Sequence, residues 1–242
     1  SGYTDMAIGT ALIFNMDIPA NFNSPYRSLD IREFWRRWHI TLSRFLRDYI
    51  YIPLGGNRRG ESRTVINLLL TFLIGGLWHG AAWTFVFWGF LHGSASGIHR
   101  LWMKTGIRMH KIIAWLLTFN FLNIAWVFFR AKDWDNAMNV LKGMAGMNGI
   151  LVSPKLAGNP FWQQMTFFGI QFGEWRANLP EMDSYIYFFC LLLIPFVLLA
   201  RNSGERLRDY SPGWKTDLAV SLMMITGLLM LNQAKTFLYF NF

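Results

Sequence analysis

Between Ile31 and Tyr49, apolar side chains fall at Ile31, Phe34, Trp35, Trp38, Leu42, Phe45, Leu46 and Tyr49, the i, i+3, i+4, i+7 spacing of one helix face. Arg36, Arg37, Arg44 and Arg47 take the other face. The pattern predicts an amphipathic helix over 31–52. A basic helix with tryptophan on its apolar side lies in a membrane interface rather than across the bilayer. PLGGNRRG at 53–60 breaks it. From Val65 to Leu91 periodicity gives way to nearly continuous apolar chain. Two short helices with a turn near Gly75–Gly80 are predicted there, a broken hairpin over 64–99. Residues 112–129, 184–200 and 217–232 each have the length and apolarity of a transmembrane helix.

The remaining stretches are weaker signals. Residues 1–16 are helix-compatible but too short to span alone, and read as the end of a helix. The chain starts Ser-Gly-Tyr-Thr-Asp, with no initiator methionine, basic n-region or signal peptide, which predicts the C-terminal part of a longer polytopic protein. Residues 17–31 are turn-rich, with Pro19 and Pro25, and Ser28 or Asp30 is placed to cap the helix that follows. Segment 130–183 has no long apolar run, contains Pro154, Pro160 and Pro180, and reads as a partly helical excursion.

Composition supports a membrane protein. Only 15% of the residues are charged, against about a quarter in soluble domains, and 17% are aromatic. The net charge of +9 raises nucleic acid as a partner, but the basic residues cluster in short loops between apolar runs, so no nucleic-acid partner is expected. Nine arginines lie in 27–63, and basic residues recur in 100–111 and 201–215, whereas 130–183 is close to neutral. The positive-inside rule puts the three basic regions in the cytoplasm and 130–183 outside. The lone cysteine, Cys190, permits neither a disulfide framework nor a cysteine metal site within the chain.

Among the histidines, His79 in GGLWHGAAW is the informative one. About 15 residues of apolar helix precede it, roughly 22 Å, short of a hydrocarbon core about 30 Å thick. A helix ending at Gly75–Gly76 leaves His79 at membrane depth on a bend, where irregular backbone must be buried in protein or line a cavity. Ionisable groups at that depth serve ion pathways or reaction sites. The competing reading is a histidine hydrogen-bonded between helices, with the glycines serving close packing. His39 falls at the edge of the apolar stripe, with Ser43 one turn on, and is either inward-facing or interfacial. A Ser43–His39 pair at i, i+4 imitates a nucleophile and its base, but such pairs arise by chance. His92 and His99 share a helix face without companion metal ligands at the right spacing, so packing is expected for both and no metal site. His110 lies in a basic loop.

Two stretches carry a resemblance. DIREFWRRWHITLSRFLRDYIYIPLGGNRRG (30–60) and LLLTFLIGGLWHGAAWTFVFWGFLHG (68–93) closely resemble the membrane-bound O-acyltransferase family. SGYTDMAIG at the start and FLYFNF at the end look like its bacterial branch, and RDYIYIPLGGNRRG is most similar to alginate-type members. That resemblance implies an all-α, polytopic integral membrane protein with transmembrane, re-entrant and interfacial helices. It implies a thinned centre where a cytoplasmic acyl donor meets an acceptor reached from outside. His79 matches the family's presumed catalytic histidine in WHG, and His39 matches the second family position in RWH. Trp78, Arg36, Arg47 and Ser43 are the accompanying candidates for substrate contact.

The implied activity is an O-acyltransferase of the bacterial inner membrane, passing acetyl groups towards an exopolysaccharide or cell-wall glycan. No tightly bound cofactor is implied; the donor is acetyl-CoA or an acyl carrier thioester. The implied partners are the lipid bilayer, a periplasmic or membrane-anchored acetyltransferase that completes the transfer, and the polysaccharide acceptor. A neutral imidazole with an ordinary pKa near 6.5 suits removal of the hydroxyl proton. The arginines of 32–59 suit either phosphates of the donor or anionic lipid headgroups. The rivals are D-alanyl transfer to teichoic acid from a carrier protein, a proton-coupled transporter relaying through His79, and a scaffold with packing histidines.

Overall fold

The computed structural model describes residues 2–173 and 184–230. The chain divides into two compact units, 1–200 and 201–242. Both are helical, and the β-structure among the described residues is one parallel pair of three-residue strands, β1 (Ile150–Val152) and β2 (Ile170–Phe172).

In the first unit, α1 (Gly2–Ile13) leads into the turn-rich loop, which contains a single 3-10 turn at Pro25–Arg27. Asp30 caps α2 (Ile31–Arg37): its carboxylate accepts from the Glu33 amide at 2.8 Å, while the Glu33 carboxylate accepts from the Leu29 amide at 2.9 Å. This reciprocal pairing satisfies donors that a helix start leaves orphaned. Ser28, the other capping candidate, is buried instead.

The helix predicted over 31–52 is not continuous. It stops at Arg37, turns through Trp38 and His39, and restarts as α3 (Ile40–Leu46), followed by a π-turn over Arg47–Tyr51. The apolar stripe exists but is folded round a corner. Loop 21–23 takes over backbone bonds that the helix gives up there: the Asn23 amide donates to the Arg37 carbonyl at 2.9 Å, and the Ile40 amide to the Asn21 carbonyl at 3.0 Å. Periodicity reports which side chains are apolar along a helix; it does not register a two-residue interruption bridged by a distant loop.

The hairpin is built from long helices, α4 (Glu61–His79) and α5 (Trp83–Lys104), joined by Gly80–Ala82. The expected stop at Gly75–Gly76 does not occur, because those glycines face neighbours rather than end the helix. A Cβ on Gly75 would sit 3.2 Å from the Leu46 side chain, and one on Gly76 2.3 Å from the Phe85 carbonyl oxygen. From α5, a Cβ on Gly89 would lie 2.3 Å from the Phe72 carbonyl oxygen, and one on Gly93 2.8 Å from the Leu69 Cα. Glycines at 89, 93 and 97 recur every four residues and form one smooth stripe, so the antiparallel backbones touch.

Next come α6 (Lys111–Arg130), whose N-terminus is capped by the His110 imidazole, and α7 (Trp134–Met144). Among the described residues α6 alone is long and apolar enough to cross a membrane. The short α8 (Pro160–Gln164) precedes β2. The other two spans expected from sequence correspond to α9 (Ser184–Leu199), 16 residues with Pro195 inside it, and in the second unit α11 (Trp214–Met230), 17 residues. Residues 231–232 of that expected span, FLYFNF at 237–242 and 174–183 of the excursion lie outside the described residues. The second unit also holds α10 (Ser203–Arg208), started by a capping box between Asn202 and Glu205.

The core of the first unit gathers Ile31, Phe34 and Trp35 of α2, Trp88 of α5, Leu122, Ala125 and Phe128 of α6, and Ala137 of α7. Two side chains of α6 tie the turn-rich loop to it: Trp115 Nε1 donates to the Tyr26 carbonyl at 2.9 Å, and the Thr118 hydroxyl to the Leu29 carbonyl at 2.9 Å. At the polar end of the hairpin, before the apolar run begins at Val65, the Glu61 carboxylate accepts from Arg100 Nε at 2.8 Å and pairs with Lys104 at 2.9 Å. Hydrogen bonds from Arg100 and Lys104 hold the Glu61 carboxyl down at about 2.

Two predictions follow from these contacts in the full-length protein. Gly89→Ala drives a methyl into the α4 backbone and costs about 1–3 kcal/mol, read as a lower melting temperature in detergent; Gly9→Ala inside α1, where nothing lies within 4 Å, does not lower it and adds stability up to the ~1 kcal/mol helix preference of alanine. Because the Glu61 pKa is depressed on folding, its contribution is present above the ordinary carboxylate value and is lost as pH falls from about 4.5 towards about 2. Melting temperature measured across that window therefore falls less steeply in Glu61→Gln than in the parent.

Candidate active site

His79 ends α4, and its ring is half-buried among aromatic neighbours from three helices. Trp88 of α5 and Phe129 of α6 present edges to it, with ring centroids at 5.4 and 4.9 Å and interplanar angles of 87° and 79°. Phe85 lies nearly parallel at 6.4 Å, and Trp78 packs edge-on at 4.9 Å. The local sequence makes this possible. Gly80 allows Phe85 to fold back over the helix end, since a Cβ there would meet the Phe85 ring at 2.7 Å. Trp78 itself is 61% exposed, so one side of the imidazole is covered by a side chain with an open outer face.

His39 reaches the same region from the bend between α2 and α3. Its backbone is left-handed, φ 42° and ψ 58°, an uncommon conformation for a residue with a Cβ. Phe22 faces its ring at 6.3 Å. Burial pushes the imidazole below the ordinary histidine range, so it is neutral at pH 7. Ring contacts running through Phe22, Trp38, Trp126 and Phe129 link His39 to His79, although 40 residues separate them in sequence.

Rings bridge the two histidines. Trp38, beside His39, packs on Phe22 at 4.9 Å, stacks on Phe34 at 5.6 Å and tilts against Trp126 at 4.9 Å. Trp126 in turn meets Phe129 at 5.3 Å and Trp88 at 6.1 Å, the residues that enclose His79. Aromatic walls keep water away from an imidazole and so favour its neutral form. A site of this kind suits proton transfer to and from a neutral nitrogen.

The other sequence candidates separate into two groups. Trp78 touches His79, as described. Ser43 does not pair with the His39 ring; its hydroxyl donates to the Trp38 carbonyl at 3.2 Å, which stabilises the bend. Arg36 is exposed, and Arg47 is exposed and pairs with Asp48 at 2.7 Å. His92 is fully buried and is the interhelical histidine of the packing reading. Trp35 Nε1 of α2 donates to its Nδ1 at 3.2 Å, which places the remaining proton on Nε2. His99 lies 3.7 Å from the Asp30 carboxylate. Trp88, Trp126 and Phe129 escaped the sequence reading because they sit on helices that periodicity treats as separate objects. The only signal for them was the excess of aromatic residues.

Sequence comparison identifies the family. The sequence model of MBOAT, the membrane-bound O-acyltransferase family, matches residues 1–132, which include His39, His79 and the rings between them. The chain is 46% identical over 249 residues to a peptidoglycan O-acetyltransferase of Helicobacter pylori, covering 100% of this chain and 46% of that protein. It is 48% identical over 145 residues to a probable alginate O-acetylase AlgI of Pseudomonas aeruginosa, covering 60% of this chain and 28% of the relative. It is 30% identical over 154 residues to a teichoic acid D-alanyltransferase of Bacillus subtilis, covering 56% and 38%. The chain thus spans less than half the length of these relatives.

The bond between α2 and α5 can be tested on its own. Trp35→Phe removes the indole donor and leaves the buried His92 Nδ1 without a partner, a loss of about 1–3 kcal/mol. The expected result is a lower midpoint in thermal unfolding of the full-length protein in detergent.

Proposed function

The chain belongs to the membrane-bound O-acyltransferase family, and from that premise we propose that it carries the reaction centre of an enzyme that O-acetylates a cell-wall glycan. The observation that supports the reading is one connected ring cluster that joins His39 and His79, from separate elements, through Phe22, Trp38, Trp126 and Phe129, with Trp88 beside His79. Peptidoglycan is favoured over alginate as the acceptor class because the peptidoglycan relative aligns with the whole chain.

In this reading His79 Nδ1 or Nε2 takes the proton of the attacking hydroxyl. The hydroxyl oxygen forms a C–O bond to the thioester carbonyl carbon, the C–S bond breaks, and the imidazolium returns its proton to the departing thiolate. Acetyl-CoA or an acyl carrier thioester supplies the acetyl group. His39, neutral at pH 7, assists without adding a second positive charge beside the imidazolium. The aromatic walls limit wasteful hydrolysis of the thioester. Exposed Arg36 serves the phosphates of the donor or of lipid headgroups. The full-length protein sits in the bacterial inner membrane with several passes, and a periplasmic or membrane-anchored acetyltransferase finishes delivery to the glycan.

A second reading, D-alanyl transfer to teichoic acid, is favoured by more distant relatives at about 30% identity. In the full-length protein, His79→Ala is expected to lower glycan O-acetylation by at least about 10²-fold, with membrane insertion intact. Mass spectrometry of cell-surface glycans reads the result. Unchanged acetylation in that variant sinks the reading, and loss of ester-linked D-alanine instead of acetate selects the second one. Proton flux in liposomes lacking any acyl donor moves the protein to transport.

A further inference from the structure

We propose that Asn21 is the positioning residue of His39, fixing the left-handed bend from which that imidazole joins the aromatic cluster. The proposal rests on the acyl-transfer reading only for the use to which the imidazole is put. A Cβ-bearing residue held at φ 42°, ψ 58° persists only where its surroundings over-determine it. The side chain of His39 ties the bend to no other element: it makes no capping hydrogen bond, and its polar contact is with its own backbone. The restraint comes from Asn21, which accepts three bonds from the two residues after the bend. Its backbone carbonyl accepts from the Ile40 amide at 3.0 Å. Its side-chain Oδ1 accepts from the Thr41 amide at 3.0 Å and from the Thr41 hydroxyl at 2.6 Å.

On the other side of the bend, the Asn23 amide donates to the Arg37 carbonyl at 2.9 Å, and Arg37 Nη1 returns a bond to the Asn23 carbonyl at 3.3 Å. Arg37 is in turn anchored by Glu33 at 2.8 Å. Phe22, between the two asparagines, lies over Trp38 and faces His39. The tripeptide Asn21-Phe22-Asn23 therefore straps residues 37–41 from both ends and covers the middle. Within the strap, Oδ1 of Asn21 stands in for helical backbone at the restart of α3. Removing it frees the first turn of α3, and the ring of His39 moves with that turn.

The test uses the full-length protein in its native membranes, with Asn21→Ala, Thr41→Val (which loses the hydroxyl donor) and Thr41→Ser (which keeps it). The first readout is the rate at which diethyl pyrocarbonate modifies His39, followed by peptide mass spectrometry, with exposed His110 as internal reference. Asn21→Ala is expected to change the His39 rate by about threefold or more, with His110 unaffected; a smaller change overturns the proposal. Should Asn21→Ala fail to insert, the threonine pair decides: a shifted rate in Thr41→Val and a parental rate in Thr41→Ser support it, and equal rates in the two overturn it. The second readout is acetyl transfer, where Asn21→Ala is expected to lower kcat about tenfold with KM for the thioester unchanged. If the parent protein transfers no acetyl group, the acyl-transfer reading falls while the modification rates still decide the role of Asn21.

Discussion

The contact between the backbones of α4 and α5 is the constraint on which the rest of the first unit depends. Side chains normally hold helix axes about 8–10 Å apart. Here the glycines at 76, 89 and 93 leave no Cβ in the way, and carbonyl oxygens of one helix lie where the other's methyls would be. That closeness fixes the register of the hairpin to the residue. It brings Phe85 and Trp88, just past the turn, alongside His79 at the end of α4. With α5 so placed, its other face receives α2 and α6, and the buried core forms from their facing residues.

The surroundings of His79 then follow from ring packing rather than from charge. The neighbours that define its pocket are Trp88, Phe85, Phe129 and Trp78, which meet it at edge-on or nearly parallel angles. Edge-to-face packing orients a ring and excludes water while leaving its nitrogens uncommitted. Charged pairs lie away from this lattice: Glu61 with Arg100 and Lys104 at the polar end of the hairpin, and Arg47 with Asp48 on an exposed turn. The two histidines are held by different devices, one by the end of a closely packed helix and the other by a bend strapped from a distant loop.

How much of this was legible in the sequence differs from residue to residue. His79 stood out because an imidazole and four glycines interrupt an otherwise apolar run, and burying such a group is costly enough to demand a reason. Gly75 and Gly76 were visible but misread as a helix stop. A glycine weakens a helix by roughly 1 kcal/mol, and a neighbouring helix in contact outweighs that cost. The corner at Trp38–His39 left no trace in the apolar stripe, since the side chains on either side keep their spacing while the backbone between them turns. Nor did anything local mark Asn21, whose partners lie 19 and 20 residues away.

The sequence by itself determined the helical class, the apolar hairpin, a cap at Ser28 or Asp30 and the family, because those follow from composition, short-range spacing and motifs read along one strand of chain. Only the tertiary structure decided where α4 ends, that α2 and α3 are separate, and that a chain of rings links His39 to His79. Those outcomes depend on contacts between residues far apart in sequence. The free energy of such contacts is a property of the packed pair and has no value for either segment alone.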